Sequence, residues 1–128
     1  MNNYDLAILG GGPGGYSAAF RAAELGKKVV IIDDNNLGGV CLNWGCIPTK
    51  SLLKNAEVMD LINSSSDYGI SVKDIQVNFD FIVQRSIKAR ERLSKGIHYL
   101  VKKNQVDFYS GFGKFIDNKI VDINGAQI

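Results

Sequence analysis

Residues Leu6–Asp33 have the sequence LAILGGGPGGYSAAFRAAELGKKVVIID, and this stretch predicts the fold. Its first residues, Leu6–Leu9, are apolar without alternation, as in a strand that is covered on both faces. Apolar residues at helical spacing follow the glycines, and Gly26 is placed to end that helix. A second β-branched run, Val29–Ile32, comes next. A strand, a glycine turn, a helix and a strand within about thirty residues predict a βαβ unit.

The glycines of this stretch form the pattern G-x-G-x-x-G at Gly10, Gly12 and Gly15. Gly10 permits a tight turn, Gly12 lets a pyrophosphate approach the backbone, and Gly15 lets the helix pack closely on the strand. The free N–H groups and the dipole at the helix N-terminus favour phosphate. Asp33 ends the next strand about twenty residues further on, where an acid binds ribose hydroxyls. The pattern predicts an adenine dinucleotide site and is compatible with either NAD or FAD.

The remainder of the chain alternates predicted helices with short predicted strands. Residues 51–62 and 79–103 have apolar positions at helical spacing, and a polar loop at 63–67 follows the first of them. Further strands are predicted at 106–109, 112–116 and 120–123. These elements predict an α/β fold: a Rossmann-like three-layer unit with a parallel sheet and the start of an antiparallel β-meander.

The last residues predict an incomplete structure. Asn124-Gly125 is a strong signal for a two-residue hairpin turn. Only Ala126, Gln127 and Ile128 follow it, too few for a full returning strand. We therefore expect residues 1–128 to be the N-terminal part of a larger domain.

The composition suits one soluble domain. The chain has 128 residues, 45% of them hydrophobic, which is enough to fill a core. Fifteen basic and thirteen acidic residues give a net charge of +2, which argues neither for nor against an acidic partner. We interpret the basic residues of 79–103 as a solvated helix face and predict no nucleic-acid partner. No apolar run is long enough to span a bilayer. Met1–Asp5 lead directly into a strand, so we expect no leader peptide and a cytoplasmic location.

The two cysteines, Cys41 and Cys46, lie in the glycine-rich stretch GGVCLNWGCIPTK, Gly38–Lys50. Three kinds of site are compatible with this arrangement. A structural zinc site needs four ligands, and only His98 is available besides the two thiols. A structural disulfide across so short a loop would stabilise the fold by only about 2 kcal/mol, and it would be unusual in a reducing compartment. The third alternative is a redox-active pair.

The residues around Cys46 favour the redox-active pair and no metal. Pro48 suits the first turn of a helix, because its missing N–H would have no partner there. Cys46 is therefore predicted just before a helix N-terminus, where the dipole stabilises a thiolate. Lys50 in the same turn opposes the dipole, but it adds positive charge near a thiolate or an electron-rich cofactor.

The two stretches together resemble one family, the pyridine nucleotide-disulfide oxidoreductases. The C-x-x-x-x-C pair within G-G-x-C-x-N-x-G-C-[IV]-P is highly specific for this family, and LGGGPGGYSAAFRAAELGKKVVIID is similar to its dinucleotide fingerprint. The details Leu42-Asn43 and Ile47–Lys50 resemble the branch that acts on lipoamide more than the glutathione or mercuric reductase branches. The resemblance continues through LVKKNQVDFYSGFGKFID and covers essentially the whole chain.

The resemblance implies that the dinucleotide is FAD and that Cys41 and Cys46 form a disulfide beside the flavin. Cys41 would exchange with a dithiol substrate, and Cys46 would be the thiolate next to the isoalloxazine. The implied cofactor contacts come from eight residues: Gly10, Gly12, Gly14, Gly15, Asp33, Gly39, Lys50 and Gly113. Asp33 stands where the family usually has a glutamate, and Asp34 is an alternative acceptor for the ribose hydroxyls. Trp44 is interpreted as a packing residue that buries the disulfide.

The family's remaining functional parts lie in other domains. A second G-x-G-x-x-G domain binds NAD⁺, and a C-terminal histidine–glutamate pair is the acid and base; His98 is interpreted as a surface or packing residue instead. The resemblance implies that residues 1–128 are the N-terminal part of an FAD domain, without the NAD-binding and dimer-interface domains. For the complete protein it implies a homodimer that oxidises dihydrolipoyl groups of 2-oxoacid dehydrogenase or related complexes, with NAD⁺ as acceptor. A sibling flavin disulfide reductase and a non-catalytic FAD-binding fragment remain alternatives.

Overall fold

The computed structural model describes residues 3–128. The expectation about Met1–Asp5 therefore falls partly outside the described residues, at Met1 and Asn2. The helices are α1 (Pro13–Glu24), α2 (Gly39–Asn43), α3 (Cys46–Asn63) and α4 (Phe79–Lys103), with a 3₁₀ turn at Ser65–Tyr68. The strands are β1 (Leu6–Leu9), β2 (Val29–Asp33), β3 (Asp107–Ser110), β4 (Gly113–Phe115), β5 (Val121–Ile123) and β6 (Ala126–Gln127). None of these helices, over the residues described, is long and apolar enough to cross a membrane.

Strand β2 lies at the centre of a parallel sheet. The strand order is β1–β2–β3, with Leu6 paired to Val29 and Val30 paired to Asp107. Residues Val29–Ile32 are at most 1% exposed, because each face of the strand is covered by another layer. The continuous apolar run in the sequence is explained by this two-sided burial.

Two hydrophobic clusters pack on the two faces of β2, since successive side chains of a strand point to opposite faces. Val29 and Ile31 pack with buried residues of the helical layer and its loops: Ala19, Leu37, Val101 and Val106. Val30 and Ile32 pack with the two buried valine and isoleucine side chains of β5. The three layers are helices, parallel sheet and antiparallel sheet, which confirms the predicted Rossmann-like α/β class.

The second sheet is antiparallel, with the order β4–β5–β6. Asn124 and Gly125 connect β5 to β6 with φ values of 51° and 91°, the left-handed conformation that a type I′ turn requires. The predicted hairpin turn and the strands predicted within 112–116 and 120–123 are therefore confirmed.

The helices differ from their predictions around the cysteines. α3 begins at Cys46 instead of residue 51, so Cys46 is the first helical residue and not the residue before the helix. Pro48 fits this earlier start, because first-turn N–H groups have no partner within the helix. The short α2, which carries Cys41, has no counterpart in the prediction, since a single turn is too short for a periodic pattern. The loop predicted at 63–67 contains the start of a 3₁₀ turn, which begins at Ser65 and ends one residue beyond the loop, at Tyr68.

Helix α4 has the predicted bounds, and its two ends have the expected chemistry. The Asn78 side chain accepts the N–H of Phe81 at 2.9 Å, which satisfies one of the donors left over at a helix start. Lys102 and Lys103 lie in the last turn, where positive charge complements the helix dipole. The helix therefore starts and ends where local side chains stabilise its ends.

Alanine substitutions at Gly14 and Gly15 of α1 should have opposite effects on the free energy of unfolding. A Cβ at Gly15 would collide with the Gly10 carbonyl oxygen and lie 3.4 Å from Ile8 Cγ2, whereas a Cβ at Gly14 would meet nothing in residues 3–128 within 4 Å outside its own helix. We expect Gly15→Ala to lower the free energy of unfolding by about 1–3 kcal/mol. We expect Gly14→Ala to leave it unchanged or raise it by up to about 1 kcal/mol. Urea denaturation followed by circular dichroism measures both, and equal stabilities would contradict the close packing of α1 on β1.

Candidate nucleotide and dithiol site

The glycine loop between β1 and α1 has the geometry of an anion site. Gly10 adopts a φ of 101°, a left-handed value that lets the chain leave β1 and turn into α1. Gly12 is the extended residue before the helix, and Pro13 is its first residue. In residues 3–128 no side chain caps this helix start. The N–H groups of the first turn are therefore available to a negatively charged ligand.

The space in front of this loop is open. A Cβ at Gly12 would have the Gly39 Cα, 3.8 Å away, as its one neighbour within 4 Å in the described part of the chain. The position of a Cβ at Gly14 is unobstructed outside its own helix, again judged over residues 3–128. Packing therefore does not demand glycine at these two positions. A pyrophosphate lying against the backbone would demand it, so the loop fits a dinucleotide.

Asp33, at the end of β2, binds the glycine loop itself. Its Oδ2 accepts the N–H of Gly11 at 2.5 Å, and its Oδ1 accepts the N–H of Asn35 at 2.7 Å. Each carboxylate oxygen keeps a second lone pair for a ribose hydroxyl. The neighbouring Asp34 is exposed, and its Oδ1 accepts the Asn35 side chain at 3.1 Å. Asp33 therefore holds the glycine loop in place, a role that the sequence pattern did not predict.

A shallow cleft of about 170 Å³ lies beside the glycine loop. Its walls are the carboxyl ends of β1 and β2 and the turn before β4: Leu9, Gly10, Ile32, Asp33, Asp34, Gly111, Phe112 and Gly113. A Cβ at Gly113 would lie 2.6 Å from Leu9 Cδ2 and 2.9 Å from Ile32 Cγ2, so only glycine allows this close approach. Gly10, Asp33 and Gly113 thus meet at the edge of the parallel sheet where α/β folds bind ligands.

The glycine loop also contacts the loop that leads to the cysteines. Gly38 donates its N–H to the Gly11 carbonyl at 2.8 Å. Gly38 and Gly39 have φ values of 108° and 58°, and a Cβ at Gly39 would lie 2.7 Å from the Gly12 Cα. Glycine permits both this turn and this close approach. The cysteine stretch is therefore held directly against the nucleotide loop.

The structure brings together Cys41 and Cys46, the pair that the sequence predicts, so that their side chains interact. Cys41 is half-buried in α2, and Cys46 is exposed at the start of α3. The Cys41 thiol donates a hydrogen bond to the Cys46 sulfur, and this bond, followed by burial, raises the pKa of Cys41. The backbone N–H of Cys46 and the charge of Lys50 act on that pKa in the opposite direction. Cys41 therefore keeps its proton to a higher pH than an isolated cysteine does.

Two further side chains interact electrostatically with Cys41. Lys50 lies in the first turns of α3, and its positive charge reaches Cys41. Burial, and then the charge on Cys41, raises the pKa of Tyr16, so α1 and α2 are electrostatically in contact. Over residues 3–128, no group of three or more His, Cys, Asp or Glu side chains is arranged to hold a metal ion.

Trp44 contradicts its predicted packing role. Its side chain is 56% exposed, so it does not bury the cysteine pair among the described residues. The chain leaves α2 at Asn43 and enters α3 after Gly45. Trp44 lies between them and lines an open cleft of about 300 Å³ together with charged residues of α4, among them Arg90 and Glu91. His98 lies edge-on to the Phe108 ring, with 6.1 Å between the ring centroids, which agrees with a packing role.

Asn43 is a site residue that the sequence analysis missed. Its side chain is only 6% exposed, although asparagine is usually found at the surface. Its Nδ2 donates to the backbone carbonyls of three residues in the preceding loop and helix: Asn36, Leu37 and Gly39. An asparagine between Leu42 and Trp44 inside the cysteine motif was the available signal, but its burial was not visible from the sequence.

The comparison with known families agrees with this site. A family model described as pyridine nucleotide-disulphide oxidoreductase matches residues 4–128. The chain therefore belongs to the pyridine nucleotide-disulfide oxidoreductases, which are FAD-dependent and bind FAD and NAD(P). The thiol pair at Cys41 and Cys46 fits the redox disulfide of this family.

Several similar proteins are dihydrolipoyl dehydrogenases. That of Zymomonas mobilis is 46% identical over 118 residues, which are 92% of this chain and 25% of that protein. That of Acholeplasma laidlawii is 44% identical over 127 residues, covering 98% of this chain and 38% of that protein. That of Corynebacterium glutamicum is 44% identical over 126 residues, covering 98% of this chain and 27% of that protein. The chain thus spans well under half the length of these relatives.

The interactions of Cys41 predict that two substitutions move the pH profile of its alkylation in opposite directions. Cys46→Ala removes the hydrogen bond that raises the pKa of Cys41, so alkylation of Cys41 by iodoacetamide should reach its half-maximal rate at lower pH. Lys50→Met removes a charge that lowers this pKa, so the profile should move to higher pH. Mass spectrometry of the Cys41 peptide across neutral and alkaline pH measures both. A profile that Cys46→Ala leaves in place would contradict contact between the thiols.

Proposed function

We propose that this chain is the N-terminal part of the FAD domain of a dihydrolipoyl dehydrogenase. The complete protein would oxidise dihydrolipoyl groups carried by 2-oxoacid dehydrogenase or related complexes, reduce NAD⁺, and work as a homodimer. The observation that carries the proposal is the contact between the glycine loop and the Gly38-Gly39 turn, which we call the joint between the two loops. There, Gly38 donates to the Gly11 carbonyl at 2.8 Å. It attaches a dinucleotide-type glycine loop to a stretch with two neighbouring thiols. The similarity to three dihydrolipoyl dehydrogenases supports the same assignment.

The proposed cofactor contacts follow the order of the elements along the cleft. The backbone at the start of α1 would receive the pyrophosphate of FAD, because its N–H groups are uncapped in residues 3–128. Asp33, or its exposed neighbour Asp34, would accept the ribose hydroxyls, and Gly113 would present its backbone to the adenosine end. The residues proposed to contact FAD are Gly10, Gly12, Gly14, Gly15, Asp33, Gly39, Lys50 and Gly113.

The thiol pair would carry out the exchange with the substrate. A thiolate of the dihydrolipoyl group attacks the sulfur of Cys41, the Cys41–Cys46 bond breaks, and Cys46 leaves as a thiolate. The second substrate thiol then displaces Cys41, so the lipoyl disulfide forms and the protein holds two more electrons as its dithiol. The two substrate protons go to Cys41 and to a base. The bound flavin supplies the chemistry that takes this electron pair on to NAD⁺.

The start of α3 suits the leaving-group role of Cys46. A sulfur at the first position of a helix lies at the positive end of the helix dipole, which stabilises negative charge. The Cys41 thiol donates to this sulfur, which stabilises negative charge there further. The hydrogen bond to Cys46, followed by burial, raises the pKa of Cys41 itself. This division of roles agrees with the one that the family resemblance implies.

A chimera tests the proposed function. In the Zymomonas mobilis dihydrolipoyl dehydrogenase, the 118 matched residues are replaced by the corresponding residues of this chain. We expect the chimera to retain FAD and to form NADH from dihydrolipoamide and NAD⁺, because the replaced part supplies the glycine loop and the thiol pair. Flavin absorbance and NADH formation are the measurements. A chimera that retains FAD but forms no NADH, next to an active parent enzyme, would contradict the proposal.

Two variants of that chimera separate the roles of the loops. Gly12→Val should abolish FAD retention without unfolding the protein, because its side chain points into space that the described chain leaves almost free and that the pyrophosphate needs. Trp44→Val is the matched control: it changes an exposed side chain beside the cysteines and should retain FAD. Equal flavin content in the two variants would remove the phosphate-binding assignment.

The chain of 128 residues by itself should form no NADH from dihydrolipoamide, even with excess FAD. Its sequence holds one glycine fingerprint, so the site for NAD⁺ must come from elsewhere. Its one histidine, His98, packs against Phe108 and does not replace the missing base, and general acid–base catalysis typically contributes about 10²–10⁴-fold. The assay follows NADH absorbance. Turnover within about tenfold of a full-length relative would contradict the assignment of acid–base and NAD⁺ sites to other domains.

A further inference from the structure

Asn43 makes an unusual set of contacts for one buried amide. Its Nδ2 donates to the carbonyls of Asn36 at 3.2 Å, Leu37 at 3.4 Å and Gly39 at 3.0 Å. The side chain is 6% exposed, so these carbonyls are partly shielded from water that could replace it. Ser94, on α4, adds a second donor to the Leu37 carbonyl at 3.4 Å. Asn43 is therefore the main side-chain support of the backbone from residue 36 to residue 39.

This backbone forms one half of the joint between the two loops. Gly38 donates to the Gly11 carbonyl at 2.8 Å, and Gly39 lies against Gly12. Both glycines adopt left-handed conformations, and glycine loses more conformational freedom on folding than any other residue. An ordered Gly-Gly turn therefore needs interactions that compensate for this entropy. The contacts of the Asn43 amide, whose two N–H groups are shared among three carbonyl oxygens, are such interactions.

The same amide stabilises the helix that carries Cys41. α2 has five residues, Gly39–Asn43, and isolated helices of this length are not stable in water. The hydrogen bond from the Asn43 side chain to the Gly39 carbonyl joins the last residue of α2 to its first. Cys41 lies between them, and its partner Cys46 begins the next helix. The orientation of Cys41 toward Cys46 thus depends on a helix that Asn43 stabilises.

We propose that Asn43 is a positioning residue, which holds Cys41 in exchange contact with Cys46 and locks the thiol pair to the glycine loop. This inference goes beyond the proposed function, because it needs neither FAD nor a lipoyl substrate. Replacing a residue that only stabilised the fold would lower the free energy of unfolding without changing how readily the two thiols pair. Replacing a positioning residue changes that pairing in molecules that are still folded.

The test measures disulfide formation in the 128-residue chain. In a glutathione redox buffer, one oxidised glutathione takes two electrons from Cys41 and Cys46, and the products are the intramolecular disulfide and two reduced glutathione molecules. The equilibrium constant gives the effective concentration of one thiol at the other. We expect Asn43→Ala to lower this constant at least tenfold relative to the unsubstituted chain. The measurement is quantification of alkylated and disulfide forms by mass spectrometry after an acid quench.

Asn55→Ala is the matched control. Asn55 also donates its Nδ2 to a backbone carbonyl, that of Ser51 at 2.8 Å, but it lies in α3 away from the Gly-Gly turn. It should leave the constant within twofold of the unsubstituted chain. A constant for Asn43→Ala that equals that of Asn55→Ala, in folded protein, would overturn the positioning role.

A second readout keeps the proposal testable in a less disruptive variant. Asn43→Ser retains one hydroxyl donor on a shorter side chain. We expect this variant to fold even if Asn43→Ala does not. In this variant we expect faster hydrogen exchange at the Gly38 amide, which bonds to Gly11 across the joint. The Gly26 amide, bonded to the Ala23 carbonyl at the end of α1, should exchange at its original rate. Unchanged protection of Gly38 would overturn the proposal, and equal acceleration of both amides would reduce Asn43 to a general stabilising residue.

Discussion

The hydrogen bond from the Gly38 N–H to the Gly11 carbonyl, 2.8 Å long, joins the two loops on which the whole site is built. One loop follows β1 and leads into α1, and the other follows β2 and leads into α2. Gly39 lies so close to Gly12 that a Cβ on Gly39 would overlap the Gly12 backbone. The separation between the nucleotide loop and the thiol pair is therefore set by backbone contact. The proposed redox function requires such a constant separation, because electrons must pass between the thiol pair and the flavin that the glycine loop would hold.

The glycines around this joint serve two different purposes, which the structure separates. At Gly15 and Gly39 an added Cβ would overlap backbone atoms of the protein, so these glycines are required by packing. At Gly12 and Gly14 the described residues leave an added Cβ almost without neighbours, so packing does not explain the glycine. A ligand against the backbone does. One sequence pattern thus combines residues needed for the fold with residues needed for a cofactor.

The charged groups around the site also serve both the fold and the proposed chemistry. Asp33 accepts two backbone N–H groups, from Gly11 and Asn35, so the acid that ends β2 also orders the loop that would receive phosphate. On the other side of the joint, Cys41 donates to the Cys46 sulfur while Lys50 contributes positive charge. The start of α3 brings the positive end of a helix dipole to the same pair. The carboxylate and the thiol pair each depend on backbone N–H groups.

The sequence by itself determined the features whose causes lie within a few neighbouring residues. The buried run Val29–Ile32, the glycine fingerprint and the Asn124-Gly125 hairpin all have local causes: side-chain burial pattern, backbone freedom and turn conformation. The tertiary structure decided the bond from Asp33 to the glycine loop, the burial of Asn43 and the exposure of Trp44. Each of these depends on how the chain folds back on itself, since a hydrogen bond or a buried surface needs a partner that the local sequence pattern does not specify.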